Sequence, residues 1–278
     1  MSEASSKRVR LEVAQIYLQM LFDGKAEFMA AFQQAQDGEN AVIYDPHFGE
    51  IRGTEAISQY YDHCRAWLLG ENAVVELKRE WAQTTADSTV MESAEFILYL
   101  DHGGDVPVPV LLIREMTQTE TGPHVSLRIY YSHWPMIGKH CWRKPFLPQK
   151  EVVFTGVLQQ YTEALSTGSM EKLFACFDET TFTLQQATGN VMTDRETLQH
   201  FYGDFLQLAQ GGAFVHYCSA VDDGIHCALE YYIDRLGKKN CLPQAGAVVY
   251  ERSSTADKLI SIRLYDDFDP FLQISIEY

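Results

Sequence analysis

Two tandem α+β domains are predicted for this chain of 278 residues, and three repeated features predict them. The first is a helical pattern that runs into glycine: Ile16-Tyr17-Leu18-Gln19-Met20-Leu21-Phe22-Asp23-Gly24, echoed by Gln160-Tyr161-Thr162-Glu163-Ala164-Leu165-Ser166-Thr167-Gly168. The second is a later helix with adjacent aromatics, Tyr60-Tyr61 in one copy and Phe201-Tyr202 in the other. The third is a closing strand, Leu127-Arg128-Ile129-Tyr130-Tyr131 against Ile262-Arg263-Leu264-Tyr265-Asp266. A repeat of this length is a domain duplication, because each copy can bury its own core. Helices first and consecutive strands after is the layout of a curved antiparallel sheet packed against N-terminal helices. The domains are expected at 9–136 and 150–273.

In the first copy, Val9, Val13, Ile16, Met20 and Leu21 recur at helical spacing, which predicts a helix over 9–23 with Gly24 as its stop. A short helix follows over 26–34, then a strand over 41–44 that ends at Asp45-Pro46, since proline disfavours helix at the residue before it. Gly53 punctuates and the next helix covers 54–69. Strands are predicted over 74–81, 89–100, 107–116 and 125–134. The second copy repeats the order, with helices over 152–166 and 170–177, a strand over 181–184, a helix over 195–209, and strands over 214–221, 224–235, 245–251 and 259–266. The connection, Ile137 to Pro148, carries two prolines and several aromatics, which predicts a semi-rigid strap.

Composition narrows the function. The formal charge of −16 argues against nucleic acid and anionic membrane as partners, since both need clustered cations. No apolar run reaches the length of a membrane span and the first residues are polar, so a cytoplasmic protein is expected. The six cysteines form no CxxC pair, and structural thiols are expected, with no metal. No phosphate-binding or dinucleotide motif occurs, so no cofactor is implied.

The first-helix tyrosine, the Asp45-Pro46 step after the first strand and the Arg-Ile-Tyr-Tyr closing strand, in this order and partly repeated, resemble the NTF2-like superfamily. The likeness is to its SnoaL-like cyclases and ketosteroid isomerases, whose cystatin-like α+β fold is a cone around one apolar pocket, and it covers nearly the whole chain as two copies. It implies a small, largely apolar metabolite as partner and an internal pseudo-dimer packed through its sheets, monomeric or at most a weak homodimer. It also puts Asp45 on the position of the isomerases' general base, Tyr17 on their oxyanion-binding tyrosine and Tyr60-Tyr61 on a supporting Phe-Tyr pair, of which Tyr61 is taken as the pocket residue. Their second oxyanion donor, an acid, falls on Leu111. Loss of one such donor raises a barrier by about 3 kcal/mol, which argues against steroid isomerisation as such. It leaves acid/base proton transfer on another small apolar metabolite (isomerisation, cyclisation, dehydration or epoxide opening), with a non-catalytic ligand-binding or scaffold protein as the alternative. In the second copy Leu184 stands where the base would be, while Tyr161 and Tyr202 remain.

Residue chemistry leaves two readings at Asp45. A carboxylate in an apolar pocket can take a proton from carbon or activate water; an aspartate before proline can equally cap a turn. Trp81, Phe96, Leu111, Ile113 and Tyr131 are candidate walls of the first pocket. In the second, strand alternation puts Asp266 with Ile262 and Leu264 and leaves Arg263 and Tyr265 outside. If Glu230 and Asp266 converge, they form an acid and base pair. Otherwise Asp266, Asp267 and Asp269 make a solvated strand end and the second domain is structural support.

Overall fold

The computed structural model describes residues 12–33, 40–101, 105–120, 122–209, 213–237 and 239–267. The expected helix start at Val9, Asp269 and the outer domain limits at 9 and 273 lie outside the described residues. Two compact units divide the chain, residues 1–104 with 112–129, and 105–111 with 130–278.

The first unit opens with helix α1 (Glu12–Leu21), whose Val13, Ile16, Tyr17 and Met20 fall on one buried stripe. Its stop differs from the expectation. Asp23, not Gly24, takes the left-handed conformation, at φ 59°. Gly24 is needed for space, because a Cβ there would sit 3.0 Å from the Cβ of Gln19. Helix α2 (Lys25–Gln33) leads to strand β1 (Ala41–Asp45) and to β2 (Gly49–Arg52), a short exposed strand the sequence did not suggest. Helix α3 (Thr54–Gly70) then precedes β3 (Val74–Thr84), β4 (Val90–Asp101), β5 (Asp105–Thr119) and β6 (Gly122–Tyr130). The sheet order is β2-β1-β6-β5-β4-β3.

That sheet is mixed where an antiparallel one was expected. Val42 of β1 pairs with Ser126 of β6 in parallel. The helix-bearing crossover returns the chain so that its first and last long strands run the same way. The closing strand is also shorter than predicted. Trp134 lies in a single helical turn, α4 (Trp134–Ile137), with Pro135 in the first turn, where its missing N–H costs nothing.

The second unit contains α5 (Gly156–Thr167), α6 (Met170–Ala175), β7 (Thr183–Gln185), β8 (Val191–Met192), α7 (Arg195–Leu208), β9 (Ala213–Asp222), β10 (His226–Leu236), β11 (Lys239–Arg252) and β12 (Leu259–Tyr265). Its sheet order, β8-β7-β12-β11-β10-β9, copies the first, including the parallel pair Leu184↔Ile262. Helix α5 begins at Gly156, not Val152. Gly156 sits at φ 59°, outside the helical region, and Asp257 caps the new start by accepting from the Val157 N–H at 2.9 Å. The core of this unit joins Leu158, Tyr161, Leu173, Phe177, Leu184, Tyr202, Val248 and Ile262.

One polar network is built twice. On β6, Arg128 Nη1 donates to Glu115 at 2.8 Å and to Ser126 at 2.7 Å. On β12, Arg263 Nη1 donates to Glu251 at 2.7 Å and to Ser261 at 2.9 Å. Both arginines are buried, and each has its serine two residues back, hence on the same face of the strand. The residues between them, Leu127 and Ile262, are also fully buried.

Tyr130 and the residues after it belong with the second unit: its hydroxyl donates to Glu230 at 2.7 Å, and the Arg143 guanidinium lies 4.1 Å from its ring centroid.

Candidate functional site

Asp45 ends β1 and is only 5% exposed. Its Oδ1 accepts the backbone N–H groups of His47 at 2.7 Å and Phe48 at 2.9 Å, which closes the turn into β2. Its Oδ2 accepts the Tyr60 hydroxyl at 3.0 Å. Helix α1 delivers Tyr17 to the same place, its ring edge-on to Phe96 at 5.7 Å. Burial, reinforced by the charge of Asp45, raises the Tyr17 and Tyr60 hydroxyls well above an ordinary phenol. Burial likewise pushes the Cys64 thiol up to about 12. The result is a buried carboxylate beside two phenols and a thiol, and those three groups stay protonated at neutral pH.

The neighbouring tyrosine points elsewhere. Tyr61, the one singled out from sequence, donates to the Gln19 carbonyl at 3.1 Å and packs on Phe28 at 5.0 Å. Consecutive helical residues diverge by about 100°, so only one of the pair can reach Asp45. Both are buried, and nothing in the pair Tyr60-Tyr61 distinguishes them. Trp81, Phe96, Leu111 and Ile113 are buried strand residues. Tyr131 lies one residue past β6 and is half-buried, its ring 5.2 Å from that of His133.

The second unit is arranged differently. Leu184, expected at the counterpart of Asp45, is buried in the core, but it pairs with Ile262 as Ile43 pairs with Leu127, so the residue in register with Asp45 is Gln186. The hydroxyls of Tyr161 and Tyr202 bond each other at 3.1 Å, and Tyr161 also packs on Tyr250. Tyr231 donates to Asp266, and burial together with that carboxylate raises the Tyr231 hydroxyl well above the usual range. Gly246 makes this bond possible. A Cβ there would meet the Asp266 Cβ at 2.7 Å and the Tyr231 hydroxyl at 3.0 Å.

Asp266 and Glu230 do not converge. Glu230 pairs across β11 through Ala247 to Tyr265, whereas Tyr231 pairs with Gly246 beside Asp266. The two carboxylates therefore take opposite faces of the sheet. Glu230, 1% exposed, accepts from Tyr130 and Ser219 instead. Asp266 shares the face of Ile262 and Leu264, as alternation requires. Arg263 and Tyr265 take the other face but are buried there and not in solvent, because Glu251 and Ser261 satisfy the guanidinium.

Asp267 overturns the solvated strand end. It is 7% exposed and accepts from Ser132 Oγ at 2.5 Å, His133 N at 3.2 Å and Cys141 N at 2.7 Å. Although burial opposes its charge, the bonds from His133, Ser132 and Cys141 prevail and hold its carboxyl below the usual range. Three closely spaced acids, Asp266, Asp267 and Asp269, hid a carboxylate that draws the strap onto the end of β12.

No family model matches the chain, and no curated protein does. Among solved structures, the chain is similar to a protein with ketosteroid isomerase-like fold from Catenulispora acidiphila, in complex with trimethylamine, at 18% identity over 41% of this chain and 86% of the other, TM-score 0.33. A protein of unknown function with cystatin-like fold from Xanthomonas campestris matches at 15% identity over 42% of this chain and 96% of its own, TM-score 0.34. A candidate dehydratase of the NTF2-like family from Streptomyces avermitilis matches at 14% identity over 42% and 88%, TM-score 0.32. Among the described residues no helix is long and apolar enough to cross a membrane.

Proposed function

We propose that the chain is a cofactor-independent enzyme that moves protons on a small, largely apolar substrate inside the first unit, in the manner of an isomerase, cyclase, dehydratase or epoxide hydrolase. The observation that supports it most is the buried Asp45 carboxylate bonded to Tyr60 at 3.0 Å with Tyr17 beside it. In the isomerase form, Asp45 takes a proton from a carbon next to a carbonyl. The electron pair moves onto the carbonyl oxygen, Tyr17 donates a hydrogen bond to the resulting enolate, and Asp45 returns the proton at another carbon. Tyr60 is a positioning residue that fixes the carboxylate. General-base catalysis of this kind contributes roughly 10²–10⁴-fold.

The test is hydrogen–deuterium exchange, followed by NMR, into a panel of cyclic and open-chain ketones in D2O. Wild-type protein should exchange α-protons faster than buffer, and Asp45→Asn should lose at least about 10²-fold of that rate. Exchange unchanged in Asp45→Asn, or no exchange above buffer for any ketone, overturns the reading.

A second reading has its own observation. Asp45 Oδ1 accepts two backbone N–H groups, which is what a turn cap does. The chain would then be a ligand-binding or scaffold protein. Binding of a fluorescent apolar probe, equal in wild type and Asp45→Asn and with no exchange in either, favours it.

A further inference from the structure

The bonds to Asp267 from Ser132 Oγ and from the His133 and Cys141 backbone N–H groups satisfy a buried carboxylate without any titratable partner. Yet three more groups crowd it. His133 Nδ1 lies 3.2 Å from one carboxylate oxygen and His140 Nδ1 lies 3.0 Å from the other. The Cys141 sulfur, a ring nitrogen of His133 and an Asp267 oxygen all lie within 4.8 Å of one another. Two imidazoles and a thiol exceed what holding the strap in place requires.

We propose that His133, Cys141 and Asp267 form a zinc site, with His140 orienting the carboxylate from outside. The donor set carries one sulfur, one nitrogen and one oxygen, a combination zinc accepts, and three protein ligands leave a fourth position open. Zinc bonds of about 2.0–2.3 Å in a tetrahedron set neighbouring ligand atoms roughly 3.3–3.8 Å apart. The His133–Asp267 separation of 3.2 Å lies just below such an edge. None of the remaining separations is above 4.8 Å. Ser132, His140 and the Cys141 N–H supply the outer bonds that fix a ligating carboxylate. His133 precedes α4, Cys141 stands eight positions on in the strap and Asp267 comes just after β12, so a bound ion would tie the strap to the end of that strand.

The test uses the full chain stripped with chelator and reloaded with Zn²⁺ or Co²⁺. One equivalent of Zn²⁺ should be retained on dialysis. The Co²⁺ form should show a thiolate charge-transfer band and the intense visible bands of a tetrahedral ion. Cys141→Ser should lose the thiolate band, and His133→Gln should lose tight binding. His140→Gln, an outer-shell change, should weaken affinity by about 10–100-fold. Absence of retained metal, a Co²⁺ spectrum without the thiolate band, or unchanged affinity in Cys141→Ser overturns the proposal. If these variants fail to fold, alkylation of the wild-type chain, mapped by peptide mass spectrometry, decides. Zn²⁺ should slow modification of Cys141 and leave the other five cysteines unaffected; no slowing at Cys141 sinks the assignment.

Discussion

The two units hold the same arginine in the same way and hold their inner carboxylates in different ways. Arg128 and Arg263 each bond a glutamate on the preceding strand and a serine two residues back, with distances that differ by no more than 0.2 Å between copies. Inside, the first unit places Asp45 on a turn, fixed by a tyrosine from a helix. The second places Asp266 at a strand end, fixed by a tyrosine from another strand, with Gln186 at the position in register with Asp45. After duplication the frame stayed constant and the interior chemistry moved. A guanidinium buried beside a glutamate cannot be lost without stranding a charge, whereas a core carboxylate with a tyrosine partner can be re-sited wherever another tyrosine reaches it.

Removing the arginines gives the largest expected effect and tests whether the frame is equivalent. Arg128→Ala and Arg263→Ala should each cost about 3 kcal/mol or more in denaturant unfolding, because a largely buried glutamate loses its partner. A cost below about 1 kcal/mol in one copy alone would break the equivalence. Next comes Gly246→Ala, which pushes a methyl group into Asp266 and Tyr231 and should cost roughly 1–3 kcal/mol. The control is Gly203→Ala on α7, where a Cβ meets nothing within 4 Å and about 0.5–1 kcal/mol of stabilisation is expected. Equal effects at the two glycines would mean that the Tyr231–Asp266 contact does not constrain the second unit.

The smallest effect lies at the turn before β7. Asp178 accepts from the hydroxyl and backbone N–H groups of Thr180 and Thr181, which lower its carboxyl to about 2. Because the folded value is depressed, its contribution to stability is fully present above the ordinary value of 3.8 and fades as pH falls towards 2. An NMR titration should place the Asp178 midpoint near 2, and Thr180→Ala should raise it. A midpoint at 3.8 in the intact protein would show that the turn is not formed in solution.

Order and type of the long elements were legible because helical stripes and strand alternation record which face is buried. What escaped depended on partners distant in sequence. Strand β2 is four residues long and mostly exposed, with no apolar alternation to mark it. Tyr60 and Tyr61 are equally buried, and only the position of Asp45 separates them. Glu115 and Glu251 look like ordinary surface acids until Arg128 and Arg263 are laid beside them. Asp267 stood in an acidic run, the usual look of solvent, and its donors lie more than a hundred positions away. Register was recoverable, since alternation alone placed Asp266 with Ile262 and Leu264; burial of the opposite face was not.

The parallel pairing of the first strand with the last sets a timetable for the chain during its synthesis. Val42 has its partner only once Ser126 has been made, and Leu184 waits for Ile262 in the same way. Until then β1 has only its hairpin neighbour β2 on one side, and the other edge stays open. Late closure of this kind makes for slow folding and leaves an unpaired edge open to wrong partners. A ribosome paused before Ser126 would therefore hold a first unit with an open sheet, however complete its helices.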